Sequence, residues 1–182
     1  MENNIFKLLR DKHISAIPVN SDKTPMVSWK TYQERLQTPS ECEKWGTMQK
    51  GGIAVVCGKI SNNLEIIDID NKMNNATAIF EDICKQIKHN RPKLFDKLVI
   101  EQSKNKGYHI IYRCEKIEGN KKLAKQDDQD GNVYTIIETR GEGGYCLVYP
   151  TPHYERIQKN ILGVNEITID EREYLFTLCK MY

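Results

Sequence analysis

The sequence predicts an α+β domain with mostly antiparallel strands. Three observations carry this. Short apolar or alternating runs recur between Ile14 and Tyr149, most of them bounded by turns rich in Gly, Asn or Ser. One longer segment, Asn74 to Lys88, repeats its apolar residues at helical spacing, and a further helical stripe follows Thr168. That order of strands and helices suggests antiparallel pairing.

Taken in order, Asn4 to Lys12 carries Ile5, Leu8 and Leu9 at helical spacing, and Ile14 to Val19 reads as a short strand. Ser21 to Ser28 is a loop ahead of Trp29 and Lys30. Thr38-Pro39-Ser40 followed by Glu41 and Glu43 is a helix start leading to Trp45. After Gly51-Gly52, Ile53 to Cys57 reads as a buried strand, and the turn Ser61-Asn62-Asn63 predicts that it forms a hairpin with Leu64 to Asp70. Ala78, Ile79, Ile83, Cys84 and Ile87 then define an amphipathic helix behind that strand. Leu98 to Gln102 and Tyr108 to Tyr112 are strands joined by Ser103-Lys104-Asn105-Lys106-Gly107, a basic, Gly-containing turn suited to an anion. Gly119 to Gly131 lacks a period and is expected to be an exposed loop. Val133 to Thr139 is a strand, Arg140 to Gly144 a turn whose Gly143 and Gly144 are readable as making a hairpin with unusual torsions, Tyr145 to Tyr149 another strand, and Thr168-Ile169-Asp170-Glu171 opens a C-terminal helix with a capping-box pattern.

Composition narrows the function. The 182 residues suit one domain, or two small modules sharing a core, and 39% hydrophobic with 29% charged residues is ordinary for a globular protein. No apolar run of about 18 residues occurs, and Met1-Glu2-Asn3-Asn4 lacks the order of a secretory signal, so a cytoplasmic protein is expected. The six cysteines show neither Cys-x-x-Cys pairing nor clustered histidines, which speaks against a zinc site of that type and against a disulfide framework. A net charge of +2 is too small to attract nucleic acid by bulk electrostatics. Local basic surface is left to do so: Lys85, Lys88, Arg91 and Lys93, or Lys116, Lys121, Lys122 and Lys125, each equally readable as a solvated face.

The most informative feature is Asp68 and Asp70 in Leu64-Glu65-Ile66-Ile67-Asp68-Ile69-Asp70. Side chains alternate along a strand, so both carboxylates share one face while Ile67 and Ile69 take the other. Neighbouring carboxylates repel unless positive charge sits between them, and Mg²⁺ or Mn²⁺, which prefer hard oxygen ligands, meet that need. An Asp-x-Asp pair also serves as a turn or helix cap. Downstream, a basic turn ends in His109, and Glu138 precedes a Gly-rich turn.

The succession Gly52-Ile53-Ala54-Val55-Val56-Cys57-Gly58, Asp68-x-Asp70, Lys106-Gly107-Tyr108-His109 and Glu138-x-Arg140-Gly141-x-Gly143-Gly144-Tyr145 resembles the primase-polymerase (prim-pol) domain of the archaeo-eukaryotic primase superfamily, found in plasmid, phage and mobile-element replication proteins. It runs from about Ile14 to Pro150, and the order of motifs gives it specificity. The resemblance implies an N-terminal αβ module, a C-terminal module with an RRM-like sheet, and an active site between them. It implies that Asp68, Asp70 and Glu138 hold two ions, Mg²⁺ or Mn²⁺, as metal ligands and catalytic residues, and that His109 contacts the phosphates of an incoming nucleotide. It further implies nucleoside triphosphates, a single-stranded DNA template and a primer as partners, and a helicase domain in the same polypeptide, of which residues 1–182 would be the catalytic domain. Two departures stand out: Asn105-Lys106-Gly107 replaces a Ser-Gly-Gly type turn, and Glu138 stands where many relatives have Asp.

The implied chemistry is in-line attack of a 3′ oxygen on an α-phosphate, with two metals about 3.5–4 Å apart activating the nucleophile and stabilising pyrophosphate. Around it, Ser103 either bonds a phosphate or closes its turn, and Lys106 adds positive charge to the phosphate cradle. Arg140 either binds triphosphate or pairs with Glu142; Lys23 and Lys30, near the Trp29 loop, either contact template or nucleotide or are surface lysines, and Tyr145 either stacks on a base or sugar or belongs to the core. The function expected is template-directed nucleotidyl transfer, as DNA primase, DNA polymerase or both. Two alternatives stay open: a noncatalytic single-strand DNA-binding or replication-initiator module, and a metal-dependent nuclease or phosphohydrolase using the same carboxylates to activate water.

Overall fold

The computed structural model describes residues 4–48 and 51–182. In chain order the elements are α1 (Ile5–Asp11), β1 (Ala16–Val19), α2 (Pro39–Gly46), β2 (Gly52–Val56), β3 (Leu64–Ile69), α3 (Ala76–Asn90), α4 (Pro92–Phe95), β4 (Val99–Gln102), β5 (Tyr108–Cys114), β6 (Lys122–Asp127), β7 (Val133–Arg140), β8 (Tyr145–Val148), β9 (Glu155–Gln158), β10 (Glu166–Ile167) and α5 (Ile169–Cys179). They build a three-stranded sheet, β1-β2-β8, and a seven-stranded sheet, β6-β7-β3-β5-β4-β9, with β10 added beside β5. The β10–β5 contact is parallel and the other described strand pairs are antiparallel, in agreement with the α+β class. Among the described residues no helix is long and apolar enough to cross a membrane.

Period-two alternation on the large sheet divides the core in two. Ile67 and Ile69 of β3, with Tyr108, Ile110 and Tyr112 of β5, join Ile79, Ile83 and Ile87 of α3 and Leu175 and Leu178 of α5 in one cluster. Leu64 and Ile66 of β3, Val99 of β4 and Ile111 of β5 join the small sheet, α1 and α2 in the other. Asp68 continues the Leu64–Ile66 face and His109 the Ile111 face, so both polar side chains occupy the sheet-to-sheet side, where apolar packing gives way to a cleft.

Capping chemistry sets two helix starts. Thr38 accepts from the Glu41 N–H and Glu41 returns a bond to the Thr38 N–H, with Pro39 at the first helical position. Thr168 and Glu171 repeat the arrangement at α5. That helix is also anchored from inside: Arg172 grips buried Glu65 through Nε at 2.6 Å and Nη2 at 2.9 Å, and Tyr112 donates to the same carboxylate at 2.7 Å.

Three expectations are corrected. The Ile53–Cys57 and Leu64–Asp70 runs do not form a hairpin: β2 and β3 lie in different sheets, with an isolated bridge between Gly58 and Leu64 where the two runs meet. Between them a 3-10 turn, Lys59–Ser61, and left-handed Asn62 and Asn63 carry the chain from one sheet to the other. Residues 119–131 are not all loop, because β6 pairs with β7 at a sheet edge, where alternate polar side chains face water and leave little apolar period. Gly143-Gly144 likewise does not close a β7–β8 hairpin, since β8 leaves for the small sheet and pairs with β2; Gly143 takes φ +77° in that crossing.

Candidate active site

Six strands of the large sheet align one row of side chains. Lys122 stands opposite Glu138, Glu138 opposite Asp68, Asp68 opposite His109, His109 opposite Glu101, and Glu101 opposite Arg156. Directly opposed residues on a sheet face interact side by side, so antiparallel register converts residues far apart in sequence into one polar strip. Arg140, two positions after Glu138, projects from the same face.

Around the row the geometry is specific. The Arg140 Nη2 lies 2.6 Å from Glu138 Oε1 and 3.6 Å from Asp68 Oδ2, so one guanidinium bridges two carboxylates that would otherwise repel. Burial opposes its charge, but Glu138 and Asp68 outweigh burial and raise its pKa. Glu142, the other candidate partner, instead accepts the Lys59 N–H. Asp70, one residue beyond β3, pairs with Lys72 Nζ at 2.7 Å.

His109 is 3% exposed yet sits among polar groups. Its Nδ1 meets Glu101 Oε1 at 3.0 Å; a carboxylate can only accept, so Nδ1 carries the proton and Nε2 faces Asp68 Oδ1, 3.6 Å away. Burial opposes charge on the imidazole, but Cys146, Glu101 and Asp68 outweigh it and hold the pKa well above its ordinary value. Glu101 is itself held by the Tyr149 N–H at 3.1 Å.

A cleft of about 430 Å³ opens over this row, lined by Asp68, Asp70, His109 and Arg140 below and by Trp29, Tyr145 and Tyr154 at its sides. The rings of Trp29 and Tyr145 pack 4.9 Å apart. Ser103 and Asn105 reach the cleft from the β4–β5 turn, and Lys23 from the loop after β1. Gly107 is required in that turn, because a Cβ there would lie 2.6 Å from the Ile69 carbonyl oxygen. Lys106 takes a left-handed conformation, φ +62°, and its ammonium lies 3.3 Å from Gln102 Oε1 and 3.9 Å from Glu155, not in the cleft lining.

Asp68, Asp70, Glu138, His109, Arg140 and Ser103 are thus gathered at one end of the two sheets, while Lys106 is set aside. Sequence reasoning missed Glu101, Asn120, Cys146 and Tyr154. Of the two basic segments, Arg91 pairs with Asp170 and Lys88 caps the Phe95 ring, whereas Lys122 stands in the row beside Glu138. The three carboxylates offer hard oxygen donors that could hold Mg²⁺ or Mn²⁺. Arg140 and Lys72, already on these acids, mark the place as one where positive charge is held.

A family model described as "Bifunctional DNA primase/polymerase, N-terminal" (Prim-Pol) matches residues 7–169. No curated protein matches the chain.

Proposed function

We propose, from the premise that this chain belongs to the bifunctional DNA primase/polymerase (Prim-Pol) family, that it is a template-directed nucleotidyltransferase acting by a two-metal mechanism. The observation that carries the reading is the Glu138–Asp68–His109 row on three adjacent strands, bridged by Arg140 and followed by Asp70 at the cleft. Asp68, Asp70 and Glu138 are the residues that would hold Mg²⁺ or Mn²⁺. When bound, such ions activate a 3′ hydroxyl and stabilise the pyrophosphate leaving group.

The chain's own groups then divide the remaining work. His109, oriented by Glu101 at Nδ1 and with its pKa held above the ordinary value, would offer Nε2–H to a phosphate oxygen. Arg140, held at the cleft beside Glu138 and Asp68, would offer its guanidinium to the triphosphate. Ser103 and the tight Gly107 turn let hydroxyl and backbone donors approach the same phosphates. Trp29 and Tyr145 form a wall on which a base or sugar can pack. The partners are nucleoside triphosphates, a single-stranded DNA template and a primer, in the replication of a mobile element, phage or plasmid, with a helicase domain on the same polypeptide.

The test is incorporation of nucleotides on primed and unprimed single-stranded templates with Mg²⁺ or Mn²⁺. Asp68→Ala with Asp70→Ala is expected to lower incorporation by at least about 100-fold, more than loss of an outer-shell partner costs. Undiminished incorporation rejects the assignment. Shortened primers in place of extended ones would instead identify a nuclease, and metal-independent DNA binding without product a noncatalytic module.

A further inference from the structure

Beside the catalytic cleft lies a smaller pocket of about 130 Å³ that the chemistry above leaves unused. The two spaces share Lys23, Leu147 and Tyr154, so Tyr154 stands at the passage between them. Successive residues of the β4–β5 turn divide between the two, with Ser103 lining the cleft and Lys104 the pocket.

Three features of this pocket point to an anion. Its lining carries Lys23, Lys104 and His153 and no carboxylate, and among the described residues no acid lies within ion-pair distance of these three, whereas neighbouring Lys106 has Glu155 at 3.9 Å. Leu147 and Pro152 give it apolar walls, which concentrate the field of the cations instead of losing it to water. Tyr154 is only 7% exposed, yet its hydroxyl has no hydrogen-bond partner among the described residues. The oxygen is not sealed in the core but opens on the cavities it lines. Burial pushes the pKa of the phenol up, so it stays a proton donor with no acceptor of its own. Its ring centroid lies 5.9 Å from that of His109, which sets this donor next to the imidazole assigned to phosphate.

We propose that the pocket binds the terminal phosphates of the nucleoside triphosphate, with Lys23 and Lys104 as the charged contacts and the Tyr154 hydroxyl as a donor at its mouth. The assignment rests on the nucleotidyl-transfer reading. With the α-phosphate at the acids and His109, the tail has a recess of donors to run into, and the pyrophosphate that leaves is the part already held there.

Backbone conformation makes the test clean. Lys23 holds φ +73°, where glycine is at ease and a longer side chain is not. Lys23→Gly therefore removes the ammonium without straining the turn, and the exposed Lys104 can be cut to Ala in the same chain. The whole protein is titrated calorimetrically with dATP and dAMP, with Ca²⁺ in place of Mg²⁺. The native protein is expected to bind dATP at least about 100-fold tighter than dAMP, the Lys23→Gly, Lys104→Ala variant to lose most of that ratio, and Tyr154→Phe to lower it about 10-fold, the scale of a hydrogen bond to a charged group. Lys159→Gly, the same replacement at a left-handed lysine outside both cavities, is expected to leave the ratio at its native value. A native ratio near one, a ratio that survives in the double variant, or one that falls equally in Lys159→Gly overturns the pocket. A double variant that keeps the ratio but no longer binds a fluorescent single-stranded oligonucleotide overturns it in favour of strand backbone. Primer extension by the native protein judges the transfer reading separately: extension with an unchanged ratio in the double variant rejects the pocket alone, and no extension rejects the reading beneath it.

Discussion

Arg140 is the residue on which the resting electrostatics turn. With one nitrogen 2.6 Å from Glu138 and 3.6 Å from Asp68, it neutralises a pair of acids that the sheet register forces side by side. Arg140→Met should therefore lower metal-free stability by about 1.5–3 kcal/mol, the scale of a hydrogen bond to a charged group. Mn²⁺ should raise the melting temperature of this variant more than that of the native protein; equal shifts would sink the idea that guanidinium and cation share one place. A second residue-level expectation concerns Gly107. A methyl group 2.6 Å from the Ile69 carbonyl forces the turn away from the strand that carries Asp68, so Gly107→Ala should cost about 1–3 kcal/mol in urea denaturation. Asp68, Glu138 and His109 were legible in the sequence because charged or polar groups interrupt apolar strands. Glu101 was not, since an acid near the end of Val99-Ile100-Glu101-Gln102 looks like an ordinary solvent-facing position, and Cys146 looked like one more apolar strand residue.

At the scale of elements, α5 is fastened by a buried ion pair. Glu65 is fully buried and Arg172 nearly so, and the pair spans from β3 to the helix. Arg172→Met strands a carboxylate in the core and should cost about 3–5 kcal/mol, whereas Glu65→Leu, Tyr112→Phe and Arg172→Leu together should recover most of that loss, because an apolar replacement needs no desolvated charge. Equal unfolding midpoints for the single and triple variants would contradict this. The start of α2 responds to acid. Arg35 holds the Glu41 carboxyl at about 2, down from 4.5, with burial opposing and the Thr38 N–H and Tyr32 hydroxyl assisting. A depressed carboxyl contributes its stability in full above about pH 4.5 and loses it as pH falls toward about 2. The midpoint difference between native protein and Glu41→Gln should accordingly shrink across that window. Helices with caps and clear stripes could be read from sequence; β6 could not, because Lys122-Leu123-Ala124-Lys125-Gln126-Asp127 owes its strand conformation to pairing with β7 rather than to its own period.

For the whole molecule, the class was legible and the wiring was not. Which strands exist follows from local alternation, but which ones pair is decided by distant surfaces, and the turns after Cys57 and Arg140 that looked like hairpins proved to be passages between sheets. The same wiring makes the site depend on parts remote from it. α5 buries Leu175, Phe176 and Leu178 against the helix-facing side of the large sheet. At about 1.5–3 kcal/mol for each fully buried side chain, their removal is comparable with a domain's whole stability of about 5–15 kcal/mol. A chain ending at Ile167 should lose cooperative thermal unfolding although every proposed catalytic residue is retained, and a sharp, near-native transition would refute this. The passage of β8 into the small sheet also governs synthesis. Until residue 148 leaves the ribosome, β2 has β1 on one side and bare backbone on the other, while the central strands of its neighbour have already been made. The nascent polypeptide therefore carries an open, aliphatic ribbon edge through nearly a hundred further rounds of elongation.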